Sequence, residues 1–249
     1  MYRQDYRERD LLVKMLTDKI GPAMFFVKNA KKRGFKMTAD ILPFTHGTYI
    51  GSLADDGLSF INVASDTSQY KNIASDINKN AYVTYILALV DSAFRDGQSI
   101  GGWFNQVAAA LALIDKGLDE QVITNIIETQ LLTAFGVAPI WDQCAICGRT
   151  DLPLDFSEQY GGMICRAHWH LDEHRMHLDR RTVYYLQRFA TINLQKLNSI
   201  RINKGTKYRL QLVLDTLYDN QVGLNLKAKR FIRQMNKWEQ KIGKLTTND

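Results

Sequence analysis

The sequence predicts an α+β protein, with short strands first and helices after them. Three observations carry that expectation. Residues 1–77 hold short apolar runs broken by turn residues. From residue 78 the apolar spacing changes to the 3.6-residue period of a helix. Between about residues 141 and 178 two cysteine-bearing turns interrupt that period. The expected domains are therefore 1–77, a small barrel or sandwich, and 78–249, all α, with an inserted cysteine module at about 141–178.

The strands come first in the chain. Leu11 to Leu16 is one strand-like run, and Asp18-Lys19-Ile20-Gly21-Pro22 ends it with turn chemistry. Ala23 to Val27 is the second run. Thr48–Leu53 and Leu58–Val63 flank Ala54-Asp55-Asp56-Gly57, a Gly-containing connector of hairpin length. Several short strands at this spacing close most simply into a small barrel.

The helices follow. Tyr82, Tyr85, Ile86, Leu89, Val90 and Phe94 share one helical face. Ile100, Phe104, Val107, Leu111 and Ile114 form a second stripe. Val122, Ile123, Ile126, Ile127 and Leu131 form a third, with Gly136 as its expected stop. Three further helices are expected near 179–198, 205–221 and 226–243.

All three cysteines of the chain fall into the inserted module. Cys144-Ala-Ile-Cys147 and Cys165-Arg-Ala-His168 are two knuckles, and each aims two ligands at one centre. Four such soft or borderline ligands suit tetrahedral zinc. Gly148 and Gly161-Gly162 let the chain bend beside each knuckle. His170, two residues beyond His168, is the alternative fourth ligand. A closed four-ligand site leaves no position for water or substrate, so its expected job is structural. His170-Leu-Asp-Glu173-His174 also matches H-x-x-E-H, the pattern of a zinc metallopeptidase. The cysteines already explain the neighbouring histidines, so the peptidase ranks below the structural site.

Composition narrows the class. Apolar residues make up 45% of the 249, enough for a buried core. The start, MYRQDYRERD, lacks the apolar core of a secretory signal, and the longest apolar run, Val107 to Ile114, is too short to span a bilayer. A sparse, odd cysteine count points to a reducing compartment. No P-loop and no G-x-S-x-G occurs.

Charge is polarised along the chain. Residues 1–36 carry ten Lys/Arg against four Asp/Glu, residues 37–140 four against eleven, and residues 141–249 eighteen against eleven. Basic surfaces of this kind attract polyanions, nucleic acid above all. The candidate phosphate contacts are Arg7 and Arg9; Lys28, Lys31, Lys32, Arg33 and Lys36; and, at roughly helical spacing, Lys227, Lys229, Arg230, Arg233, Lys237 and Lys241. Phe25, Phe26, Phe35 and Phe44 lie near the first groups, and for each the core is the expected place. A protein-binding adaptor with an incidental basic surface is the competing class.

The order of these parts resembles the bacterial RecO family of recombination mediators. Asp5-Tyr-Arg-Glu-Arg-Asp-Leu-Leu-Val-Lys-Met-Leu-Thr-Asp-Lys-Ile-Gly21 looks like its opening strand pair, and Lys28-Asn-Ala-Lys-Lys32 like its basic turn. Leu131-Leu-Thr-Ala-Phe-Gly136-Val-Ala-Pro139, ahead of Cys144-Ala-Ile-Cys147-Gly, is similar to its most specific signature. Gly161-Gly162-Met-Ile-Cys165 is similar to the "GGxxC" that follows. The resemblance implies an N-terminal OB-fold, a helical C-terminal domain, structural zinc and no enzymatic turnover. It also implies binding to single- and double-stranded DNA, annealing of complementary strands, and work with RecR and single-stranded DNA-binding protein to load RecA. The implied location is the cytoplasm, on the nucleoid. Two departures are visible. The first strand of the barrel is expected to be missing or shortened, which leaves an exposed edge, and His168 stands where the family more often has Cys.

Overall fold

The structure, a computed structural model, describes residues 1–54 and 58–245, the last seven of them by backbone only. Asp55, Asp56 and Gly57 of the expected hairpin connector lie outside the described residues, as does the side chain of Lys241.

Five strands form one sheet: β1 (Tyr2–Tyr6), β2 (Asp10–Thr17), β3 (Gly21–Val27), β4 (Thr45–Ser52) and β5 (Ser59–Gln69), in the order β1-β2-β3-β5-β4. Only the β3/β5 pair is parallel. Each apolar run named from the sequence is a strand, and the expected hairpin is the β4/β5 pair. The strand expected to be missing or shortened is present and short. β1 pairs from Tyr2↔Lys14 to Tyr6↔Asp10, so Met15–Thr17 of β2 have no β1 partner.

Alternation explains the sheet's two faces. Leu11, Val13, Ala23, Phe25, Val27 and Ile61 meet in one buried cluster that Ile41 completes, with Phe35 and Tyr49 packed against it. On the other face the rings of Tyr6, Phe26 and Phe60 touch edge to face, with centroids 5.8 and 5.3 Å apart. Lys14, buried on that face, holds Asp91 at 2.9 Å and also Asp96. Burial by itself would lower the Lys14 pKa, but the hydrogen bonds to Asp96 and Asp91 outweigh it and raise it.

The helices are α1 (Lys71–Ser75), α2 (Ile77–Ala93), α3 (Trp103–Asp115), α4 (Glu120–Ala134), α5 (Arg180–Thr191), α6 (Lys204–Leu217) and α7 (Lys227–Leu245). Acceptor side chains cap four of them. Asp76 receives the N–H groups of Asn78 and Lys79, and Asp119 that of Val122. Asp179 receives those of Arg181 and Thr182, and Asn203 that of Thr206. Gly136, at φ +74°, ends α4 as expected. Between α4 and α5 lies the hairpin β6 (Leu154–Ser157) and β7 (Gly162–Cys165). None of the described helices is long and apolar enough to cross a membrane.

The chain divides into two compact units: Met1–Gly117 with the segment that begins at Lys227, and Leu118–Leu226. The boundary expected at residue 77 falls inside the first unit. There α7 packs along α2, the Gly97 N–H donates to Pro22 O at 2.8 Å, and Asp115 Oδ1 receives the Ile73 N–H at 3.0 Å. In the second unit α4 packs on α5 and α6, and its buried polar residues bind across the bundle. Asn125 Nδ2 donates to Glu128 and Gln211 at 2.9 Å, and Tyr218 Oη donates to Glu128 O at 3.0 Å. The helix expected over 179–198 stops at Thr191. Gln130 Nε2 donates to the carbonyls of Phe189 and Ile192, and Asn193 caps a separate 3-10 turn at Leu194–Lys196.

Candidate metal centre and basic surfaces

The module begins with a parallel contact between Ile140 and Gly162. The Ile140 N–H donates to Gly161 O at 3.1 Å, and the Met163 N–H donates to Ile140 O at 2.8 Å. Gly162 is required here, because an added Cβ would sit 2.6 Å from Ile140 O. The Ala145 N–H then donates to Met163 O at 2.7 Å, which lays the first knuckle against β7. Gly148, at φ +71°, turns the chain so that its N–H reaches Cys144 O at 2.8 Å.

These contacts bring Cys144, Cys147, Cys165 and His168 together, with all four ligand atoms within 4.8 Å of one another. Cys147 Sγ and Cys165 Sγ are 3.8 Å apart. His168 Nδ1 is 3.6 Å from Cys144 Sγ and 3.4 Å from Cys165 Sγ. Metal–sulfur and metal–nitrogen bonds of about 2.3 and 2.0 Å give tetrahedral edges of roughly 3.5–3.8 Å. These three separations lie close to those edges, and the donor set could hold one tetrahedral metal ion. Burial pushes the Cys144 thiol up, but the N–H groups of Cys165, Cys147 and Ile146 and the His168 ring outweigh it, taking the thiol down to about 6. Burial is also the largest influence on Cys165, and there it prevails and raises the pKa.

His168, not His170, joins the cysteines. His170, Glu173 and His174 are exposed, and the 3-10 turn Arg166–Leu171 ends before Glu173. The peptidase pattern needs both histidines on one helix face, and among the described residues no second ligand group converges.

A buried carboxylate holds the way out of the module, and sequence reasoning missed it. Asp155 receives the N–H groups of His177 and Leu178 at 3.0 and 2.9 Å and meets Arg175 Nε at 3.2 Å. Ser157 Oγ donates to Asp172, also buried, at 2.5 Å. The sequence shows an isolated Asp between Leu154 and Phe156, with no local sign of these partners.

The N-terminal basic residues assemble in the first unit. Arg7 and Arg9 lie in the β1–β2 turn, and Lys28, Lys31, Lys32, Arg33 and Lys36 lie after β3, all exposed. The Lys31 N–H donates to Arg9 O at 3.0 Å, and the Asn29 N–H donates to Asp10 Oδ1 at 2.8 Å, so the two segments share one end of the sheet. Lys31 Nζ is held 2.8 Å from Asp5. On α7, Lys227, Arg230 and Lys237 are exposed and Arg233 is half-buried. Lys229 differs from these, because its ammonium lies 4.8 Å from the centre of the buried Tyr85 ring. Phe25 and Phe26 are buried on opposite faces of the sheet, and Phe35 packs on the core that holds Phe25.

A sequence family described as Recombination protein O N terminal matches residues 1–70, and Recombination protein O C terminal matches residues 74–230. The chain belongs to the RecO family. Its relatives include a DNA repair protein RecO of Limosilactobacillus reuteri (strain DSM 20016), 84% identical over 249 residues, which are 100% of this chain and 95% of the relative. The RecO of Limosilactobacillus fermentum is 55% identical over 242 residues, 97% of this chain and 89% of the relative. That of Lactiplantibacillus plantarum is 47% identical over 249 residues, 100% of this chain and 96% of the relative. Membership in RecO places the chain among DNA repair and recombination proteins, in agreement with the signature around Gly136 and Cys144.

Proposed function

We propose that this chain is a recombination mediator that works by binding DNA rather than by catalysis. It binds single- and double-stranded DNA, anneals complementary strands and helps load RecA together with RecR and single-stranded DNA-binding protein. It does so in the cytoplasm, on the nucleoid. The observation that carries this reading is the meeting of Arg7 and Arg9 with Lys28, Lys32 and Arg33 at one end of the sheet. A cluster drawn from two segments is a surface, not a local charge run, and surfaces of this sign take up phosphate.

The N-terminal sheet is an OB-type barrel in this reading. Five strands in the order β1-β2-β3-β5-β4 with one parallel pair support it. The β1–β2 turn that bears Arg7 and Arg9 is then a loop that OB-folds use for oligonucleotides. The metal of the Cys144, Cys147, Cys165 and His168 centre is zinc. Bound there it supplies four-point coordination of the two knuckles. The chain's own residues position the sulfurs: the Cys165 N–H donates to Cys144 Sγ at 3.3 Å, and Trp169 Nε1 donates to Ile164 O at 3.1 Å. The apolar cluster beside the knuckles is small, with Cys144, Ile164 and Cys165 its buried members, so there the metal is the main staple.

Charge reversal tests the surface. Arg9→Glu with Lys32→Glu should weaken oligonucleotide binding alike for every sequence, because phosphate contacts carry no base information. Wild-type affinity in that variant would show that the N-terminal cluster is not the contact.

A further inference from the structure

The second unit carries a basic and aromatic surface that the motifs above do not include. From Arg180 to Leu214 the chain has eight Lys/Arg and no Asp/Glu. Two helices from this stretch, α5 and α6, pack against each other and are pinned by Arg209 to Asp179 at 3.0 Å. On α5, Arg180, Tyr184 and Arg188 fall at i, i+4 and i+8, one line along the helix. All three are exposed, and Tyr184 keeps 54% of its surface open to solvent. On α6, Lys204, Tyr208 and Leu212 repeat the same spacing, with Tyr208 64% and Leu212 50% exposed. The apolar sides of both helices are already buried through Val183, Leu186, Phe189, Leu210, Val213 and Leu214. The two tyrosine rings lie outside that buried set, although Tyr184 meets the Tyr185 ring edge to face at 5.4 Å.

We propose that this α5–α6 face is a second contact surface for single-stranded DNA, carried by the second unit. It rests on the DNA-binding reading above and extends it to residues outside the N-terminal cluster and α7. Charge complementarity selects the occupant. Of the eight cations in this stretch, Lys207 and Arg209 are paired with Asp119 and Asp179; the excess of the other six favours a polyanion, and exposed tyrosines offer π faces that bases stack on without regard to sequence. Successive members of each line stand about 6 Å apart along the helix axis, a spacing that lets arginines grip phosphates while the tyrosine between them takes a base. Two basic surfaces, each on its own compact unit, give one chain a place for each of two strands, as annealing within a single chain would use.

The test uses the full chain and a thymidine oligonucleotide carrying 5-iododeoxyuridine. Photocrosslinking followed by peptide mapping should place crosslinks on Tyr184 or Tyr208. Tyr184→Ala with Tyr208→Ala should lose those crosslinks and bind roughly thirtyfold more weakly. Arg180→Glu with Arg188→Glu should weaken binding and flatten its salt dependence. Full affinity in both variants, with crosslinks confined to residues 1–36 and α7, overturns this proposal. It would assign the face to a protein partner and leave the N-terminal surface standing. A wild-type chain that binds no oligonucleotide sinks both readings together.

Discussion

Replacing Gly162 with Ala probes how the two knuckles are held in register. The added Cβ would stand 2.6 Å from Ile140 O, 2.8 Å from Ile140 N and 2.9 Å from Ile140 Cβ. Backbone sits on two of those sides, so the strand that carries Cys165 must move away from the segment that leads to Cys144. Two hydrogen bonds are then stretched or lost, Ile140 N to Gly161 O and Met163 N to Ile140 O. At about 1 kcal/mol each they contribute about 2 kcal/mol. Overpacking adds roughly 1–3 kcal/mol, for a total of about 3–5 kcal/mol. For a chain of this size that lowers the thermal midpoint by roughly 6–20 °C. Differential scanning calorimetry measures the shift, and metal release to a chelator should quicken in parallel. Gly102→Ala is the control, because a Cβ there meets nothing within 4 Å and the backbone is already right-handed helical. It should hold or slightly raise the midpoint. An unchanged midpoint and unchanged metal release in Gly162→Ala would refute the packing of Ile140 on Gly162.

Cys144→Ser should drop bound zinc well below one per chain by elemental analysis and lower the thermal midpoint, whereas Glu173→Gln should change neither. Metal retention should also fall with acidification. The folded Cys144 pKa is depressed from the ordinary thiol value of 9.0 to about 6, so the thiolate's contribution is complete above about 9 and lost as the pH falls through about 6; equal retention at pH 5 and pH 8 would contradict this. Lys229→Ala should cost about 0.5–2 kcal/mol of stability through the lost Tyr85 contact while changing DNA affinity less than Lys32→Glu, and the opposite ranking in a binding titration would return Lys229 to the phosphate contacts.

The strands were legible because alternation is local. Leu11 and Val13 face one way and Leu12 and Lys14 the other, as period two demands. The metal centre was legible for a similar reason, since each knuckle sets two ligands by short-range spacing, and the fold had only to pair them. What stayed hidden depends on distant partners. The end of α5 is fixed by Gln130 on another helix. Asp155 draws its partners from the segment that follows the module, and Lys229 reads as one more exposed cation until Tyr85 lies beneath it. The boundary at residue 77 follows the change of period, but the compact unit continues to Gly117 and regains the chain at Lys227. Arg180-Tyr184-Arg188 was visible as i, i+4, i+8 spacing, masked by the stronger apolar stripe of the same helix.

In the function proposed for this RecO-family chain, exposed Lys and Arg hold DNA phosphates. The measurement that tests it most directly is the affinity for a single-stranded oligonucleotide across a salt series, with wild type beside Arg9→Glu with Lys32→Glu. Phosphate contacts made by these residues predict a linear fall of log K with log salt, at about 0.7 per phosphate contact, with a clearly shallower slope in the double variant. A flat line for wild type, or identical slopes for the two proteins, would contradict it.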